Sequence, residues 1–245
     1  EVKTVSESSY SSFVAQVGNQ KYNSLEAAID AAMNGTDETV LLISDITAGT
    51  WNQIWDIEGI TIDGQGHTIS MTAIESLENH DAVLHSAGDN TFKNMTIDMS
   101  GITTASKAQG YKGITAVGGD TIKNVKFIGG ANGDYGIHVG GTDATGESVT
   151  ITGCAFTGFD YAIGNQPEKD TNTSQLDSLV IDGCTFENCK YASILYSPQT
   201  EFTNNSVDNG KVNIMHKTQT VTGNTFDNES RIKFYDTAAE FSKNS

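Results

Sequence analysis

Lys112, Asp134, His138, Asp160 and Tyr161 are the residues of this chain whose types and neighbourhood could support a reaction. In such a group Lys112 would neutralise a substrate carboxylate, while His138 or Tyr161 would take a proton beside it. Nothing in the spacing demands that chemistry. A second set could bind without reacting. Tyr135, Tyr161 and Tyr191 each stand just ahead of a short apolar stretch, preceded by Asp134, Asp160 and Lys190, with Lys112, His138 and Lys211 nearby. Three such rings in one column are either structural or, where exposed, an aromatic strip able to carry sugar rings. Trp51 and Trp55 are a further aromatic pair, read as packing against the N-terminal elements. His85, His138 and His216 fall on or beside strands and read as surface or satisfied residues.

What would position these side chains is a repeat. The segment Phe92-Lys93-Asn94-Met95-Thr96-Ile97 recurs as Ile122-Lys123-Asn124-Val125-Lys126-Phe127, Ile151-Thr152-Gly153-Cys154-Ala155-Phe156 and Ile181-Asp182-Gly183-Cys184-Thr185-Phe186. It continues at Phe202–Val207 and Val221–Phe226 and begins again at Phe241. The fourth column steps by 30, 29, 30, 21, 19 and 20 residues, which are the lengths of single solenoid coils. A second strand follows in each unit, as at Gly136–Val139, Tyr161–Ile163 and Tyr191–Leu195. Two or three short strands per coil, joined by Gly and Asn turns, describe an all-β parallel β-helix solenoid over residues 40–245.

In the fourth column Asn205, Asn224 and Asn244 occupy consecutive coils, where inward asparagines form a structural ladder. Met95, Val125, Cys154 and Cys184 fill it earlier. Cys154 and Cys184 then lie one coil apart. That separation permits a disulfide, but two buried free thiols are the preferred reading, with Cys189 a third core residue. Three cysteines without C-x-x-C spacing give no zinc signature.

The composition agrees with such a fold and excludes others. The chain has 25 Gly, 18% charged residues and a formal net charge of -17. That charge argues against a nucleic-acid partner, and no apolar run is long enough to insert in a membrane. Residues 1–90 hold two basic and fourteen acidic residues, against twelve and seventeen in 91–245. Residues 1–12 read as a Ser-rich, poorly ordered leader. Residues 13–39 read as a hairpin, Phe13 to Tyr22 around Gly18-Asn19, and a helix, Asn23 to Asn34. Asn23 is the expected N-cap with Glu26 in a capping box, and Gly35 the expected left-handed C-cap. Leu25, Ala28, Ile29 and Ala32 make its apolar stripe.

The repeat, together with the opening Ala15–Ala32 and Val40-Leu41-Leu42-Ile43-Ser44-Asp45-Ile46, resembles the pectin-lyase-like superfamily. Within it, the opening is similar to that of adhesin-like surface proteins of gut bacteria. The resemblance implies a right-handed β-helix whose N-terminal end is capped by the hairpin and helix. It also raises the question of glycan cleavage. Lyases of that superfamily hold calcium on clustered carboxylates and use Arg or Lys as base. Ser230-Arg231-Ile232-Lys233 resembles the Arg-Ile-Lys motif of polygalacturonases, but that family's Asp-Asp, Gly-His-Gly and Asn-Thr-Asp elements are missing. Asp134, Asp143, Glu147 and the loop Glu168 to Asp177 offer oxygen ligands without a recognised calcium pattern. A structural calcium is the one cofactor considered, and the metal site stays unassigned.

The expectation is therefore a secreted or cell-surface, non-catalytic module of a bacterial surface protein. It would bind a glycan or a host or cell-surface protein through Tyr135, Tyr161 and Tyr191. The alternatives are a calcium-dependent polysaccharide lyase using Lys112, Asp134, His138 and Tyr161, and a passive stalk. Because Phe241–Ser245 stops inside a repeat, further chain or a neighbour is expected to cover the last coil.

Overall fold

The computed structural model describes residues 12–75, 81–104, 110–130, 134–140, 147–165, 176–197, 199–215, 220–235 and 240–245. Residues 1–11 of the expected leader, Asp143, Glu168 and His216 lie outside the described residues. The chain winds as a parallel β-helix with three strands per coil. Strands Thr39–Leu42, Ile46–Trp51 and Ile54–Glu58 make the first coil, and Thr220–Thr222, Thr225–Asp227 and Arg231–Phe234 the last full one. Equivalent strands of successive coils pair in parallel, giving three sheets that we number I, II and III in the order the chain meets them.

Period-two alternation turns one residue of each short strand inward. In sheet I, Ile62, Phe92, Ile122, Ile151, Ile181, Phe202 and Val221 stack in register and all are buried. In sheet II, Phe127, Phe156 and Phe186 stack with ring centroids 4.9 and 5.1 Å apart. The alternating polar and small residues of the repeat are explained by its corner. Asn94, Asn124 and Asn204 have φ between 53 and 55°, and Gly153 a φ of 60° at the equivalent position. Asn and Gly are the residues that adopt this left-handed conformation with least strain.

The next residue turns inward and forms the fourth column. Asn205, Asn224 and Asn244 each donate Nδ2–H to the carbonyl of Ile181, Phe202 and Val221 in the coil before, at 3.0, 2.8 and 2.9 Å. Each Oδ1 in turn accepts the backbone N–H of Cys184, Asn205 or Asn224. The cysteines play the same part with a weaker donor. Cys154 Sγ reaches Ile122 O and Cys184 Sγ reaches Ile151 O, at 3.6 and 3.7 Å. All three cysteines are free and buried, and burial pushes the Cys189 thiol up to about 11.

At the N-terminal end, β1 (Ala15–Val17) pairs antiparallel with β2 (Gln20–Tyr22) and with the first strand of sheet I. Helix α1 (Leu25–Asn34) packs on both and on Ile54–Glu58. Its stripe Leu25, Ala28, Ile29 and Ala32 is buried as the sequence predicts. The caps differ from expectation. Ser24, not Asn23, is the N-cap and accepts the N–H of Ala27 at 3.2 Å, because its extended backbone aims the hydroxyl back at the first turn. Gly35 is extended, with φ -102°, rather than left-handed. No helix among the described residues is long and apolar enough to cross a membrane.

Candidate functional site

Sheet III carries the tyrosines on its outer side. Tyr135, Tyr161 and Tyr191 pair in register over three coils and are half-buried. Their rings stack with centroids 4.7 and 5.2 Å apart and planes within 13° and 5°. Stacking along the coil axis covers the ring faces and leaves ring edges for a ligand, so the flat platform expected from sequence is instead a comb. Gly164 makes room for it, since a Cβ there would come within 2.5 Å of the Tyr135 ring.

Cations stand at both ends of the comb. Lys112, paired in register with Tyr135, has its ammonium 5.8 Å from that ring's centroid. Lys190 and Lys211 stand 5.9 and 5.5 Å from the centroid of Tyr191. Ser193 pairs with Val212, which sets Lys211 one position along from the tyrosine column. Insertion and deletion between Tyr191 and Lys211 hide this shift in the sequence.

Lys112 and Asp134 are brought together as expected, but inside the protein. Each is 2% exposed, and Asp81 beside them is fully buried. Lys112 Nζ donates to Gly110 O at 3.0 Å. Burial holds the Lys112 ammonium below the usual lysine range, against the opposing pull of Asp81 and Asp134. Burial likewise pushes Asp134 up to about 6, although it accepts the N–H of Tyr111 at 3.3 Å. Burial, then the neighbouring Tyr161 and Asp160, raises the Tyr135 hydroxyl, which therefore stays protonated near neutrality. His138 lies three residues beyond Tyr135 and meets its ring edge-on at 5.4 Å. The group that would neutralise a substrate carboxylate is thus closed off from solvent and stands against the first ring of the comb.

The sequence missed a second aromatic feature on the same face. Trp51 packs inward, its Nε1–H donating to Val83 O at 3.0 Å. Trp55, read from the sequence as packing against the N-terminal elements, stands at the surface. It is 41% exposed and lies flat on His85, with centroids 3.4 Å apart and planes within 9°. The cause is a bulge: Ile54 pairs with Leu84 but Ile57 with Ser86, and Asp56 between them has a φ of 56°. His85 is fixed by Gln53 Oε1 at 2.7 Å and Thr115 Oγ1 at 3.2 Å. Since Gln53 Oε1 also accepts the N–H of Ala82, it can only accept from His85, which donates through Nε2–H. Thr115 pairs with both His85 and His138, so the three share one column.

A second inward ladder was also missed. Ile60 N–H donates to Asn90 Oδ1, and Asn90 N–H to Asp120 Oδ1, at 3.1 and 3.0 Å. The sequence signal is an Asn or Asp just before Thr91 and Thr121, one coil apart. Burial pushes Asp120 up to about 6 despite bonds from Ser86, Val117 and Asn90.

Among the described residues, no group of three His, Cys, Asp or Glu side chains is arranged to hold a metal ion. No protein-family model matches the chain, and no curated protein matches it in sequence.

Proposed function

We propose that this β-helix is a non-catalytic, extracellular glycan-binding module of a bacterial surface protein, within the pectin-lyase-like superfamily. Its binding face is the outer side of sheet III. The observation that carries the reading is the in-register stack of Tyr135, Tyr161 and Tyr191, with the buried Lys112 ammonium against its first ring. A stack of this kind costs side-chain entropy in proportion to its length, and a rigid comb of ring edges and hydroxyls repays that cost when it meets a periodic ligand. Glycans present hydroxyls for such a comb at every residue.

The test is a glycan array with and without calcium, on wild type, a Tyr135/Tyr161/Tyr191→Ala variant and the corresponding triple Phe variant. Polyuronate cleavage is followed by absorbance on the same samples. Binding falls at least about tenfold in both variants, because ring edges act here through their hydroxyls. Retained binding in the Ala variant would remove the comb from the site. Appearance of unsaturated product would replace this reading with a lyase, and silence toward every glycan would leave a protein-binding module or a stalk.

A further inference from the structure

At the N-terminal end of sheet III, Trp55 presents an exposed ring on a bonded support. One face of its indole lies on His85, and the exposure falls on the remaining face and edge. His85 is bonded to Gln53 and Thr115. Gln53 is tied in turn to the second coil. Its Nε2–H donates to Glu75 O and its Oε1 accepts the N–H of Ala82, both at 2.8 Å. The ring therefore rests on side chains from three successive coils. An aromatic platform of this kind suits either a sugar or a cation, and the charge around it decides between them.

Four exposed acids stand near Trp55. Asp56 and Glu58 share its strand, Ile54–Glu58. Glu75 follows the strand Thr68–Ile74, with its carbonyl on Gln53. Asp89 stands one place beyond Gly88, the register partner of Glu58. The two ion pairs found among the described residues, His67–Asp45 and Lys93–Asp63, involve none of the four. Cations of the chain itself are placed elsewhere. Among the described residues up to Asn90 the only Lys or Arg is Lys21, on β2 at the end of sheet I. The next on a strand of sheet III is Lys112, which is buried. The lysines that face aromatic rings face Tyr135, Tyr191 and Tyr235, not Trp55. Indole is the strongest of the aromatic side chains for a cation, so an open indole flanked by carboxylates is complementary to a cation supplied from outside.

We infer that Trp55 anchors a second binding site, separate from the tyrosine comb, for a basic segment of a partner polypeptide. One Lys or Arg side chain of that segment lies on the open part of the indole, and its other cations meet Asp56, Glu58, Glu75 and Asp89. A segment fits better than a single amine. Glu58 is three residues along the strand from Trp55, about 10 Å at the usual rise, so one ammonium cannot meet both. A neutral sugar would use the ring and none of the acids. This site does not depend on the glycan-binding reading above.

The test titrates the whole chain with oligoarginine, oligolysine and oligoglutamate peptides and with a neutral mannan oligosaccharide, at low and physiological salt. Calorimetry gives the affinity and tryptophan fluorescence the site, since Trp51 is buried and a change on binding reports Trp55. The variants are Trp55→Ala, Trp55→Phe and the pair Asp56→Asn with Glu58→Gln, with circular dichroism to check that each folds. Asn suits position 56 because it tolerates the left-handed backbone there. The expected result is that a basic peptide shifts the fluorescence and binds at least about tenfold tighter than oligoglutamate or the oligosaccharide. Trp55→Ala should then weaken it about fivefold and Trp55→Phe less, the weight of one cation–π contact. The acid pair should weaken it too and reduce its salt dependence, and this arm decides the matter if Trp55→Ala does not fold. Basic-peptide binding unchanged in the Trp55 and acid variants would be general attraction to a chain of net charge -17, and would overturn the site. Tighter binding of the oligosaccharide through Trp55 would overturn the ligand class, and no binding of either basic peptide would overturn the inference outright. Each of these failures leaves the comb untouched, because the comb is read by its own tyrosine variants.

Discussion

The asparagine column and the tyrosine column are built by the same rule, one residue per coil in register, yet they do opposite things. The amides of Asn205 and Asn224 face inward and spend both donor and acceptor on neighbouring coils. The rings of Tyr135, Tyr161 and Tyr191 face outward and spend only their faces on one another. A repeat in a solenoid therefore has two meanings, and the direction of the side chain decides between them. Inward, an unfilled hydrogen bond is costly and a polar repeat exists to satisfy the backbone. Outward, water satisfies the same groups, and a repeat that persists presents a periodic surface.

Substitutions separate the two columns by size of effect. Asn224→Ala strips the Asn205 N–H and the Phe202 carbonyl of their partners, both buried. It should lower unfolding stability by about 3 kcal/mol, read from the denaturant midpoint. A loss below about 1 kcal/mol would mean that the inward column is filler, like its apolar counterparts.

The second inward ladder sharpens the point because it holds an acid. Asp120 is raised to about 6 in the folded chain against an ordinary 3.8. Between those values the native state binds the extra proton, so the contribution of Asp120 to stability is fully present below about pH 4 and is lost as pH rises through 6. Asp134 acts in the same direction. Asp120→Asn should flatten part of that slope by about 2 kcal/mol between pH 4 and pH 7.5, measured as midpoint against pH. An unchanged slope would show that Asp120 does not titrate in this window.

Tyr161→Ala should cost only about 1 kcal/mol of stability, the value of its two ring contacts, while weakening ligand binding far more. The reverse ratio would make the comb a structural stack. Gly164→Ala offers a finer probe, since its methyl pushes the Tyr135 ring aside without removing a tyrosine. It should weaken ligand binding a few-fold with little change in the denaturant midpoint.

The smallest effect expected is a gain. Ser193 lies in an inward column of sheet III between Ile163 and Val212, and its buried hydroxyl has no partner among the described residues. Ser193→Val should stabilise the protein by roughly 1 kcal/mol. A destabilised variant would reveal a role for that hydroxyl.

Much of this was legible in the sequence because period-two strands and a fixed corner residue repeat every coil. The step of the fourth column placed Asn205, Asn224 and Asn244 together, and the position ahead of each second strand placed the tyrosines. What escaped depends on local irregularity or on depth. Trp55 reaches His85 only because a bulge at Asp56 breaks the alternation, and a bulge adds no characteristic residue. Lys112 reads from the sequence as a charge that could meet a substrate, and only its burial with Asp81 and Asp134 removes it from that role. Ser24 and Asn23 are both good N-caps by type, and only the backbone at the first turn selects between them.

The direction of the asparagine bonds carries a consequence for how the coils depend on one another. Each Nδ2–H reaches back to a carbonyl of the coil before it. A coil that has already closed therefore holds the acceptor that the next amide needs, whereas an amide of the last coil has no acceptor until the coil before it is in place. The three bonds give the solenoid a polarity: a coil lost from the C-terminal side leaves the carbonyl before it open, and one lost from the N-terminal side leaves the next amide without its acceptor.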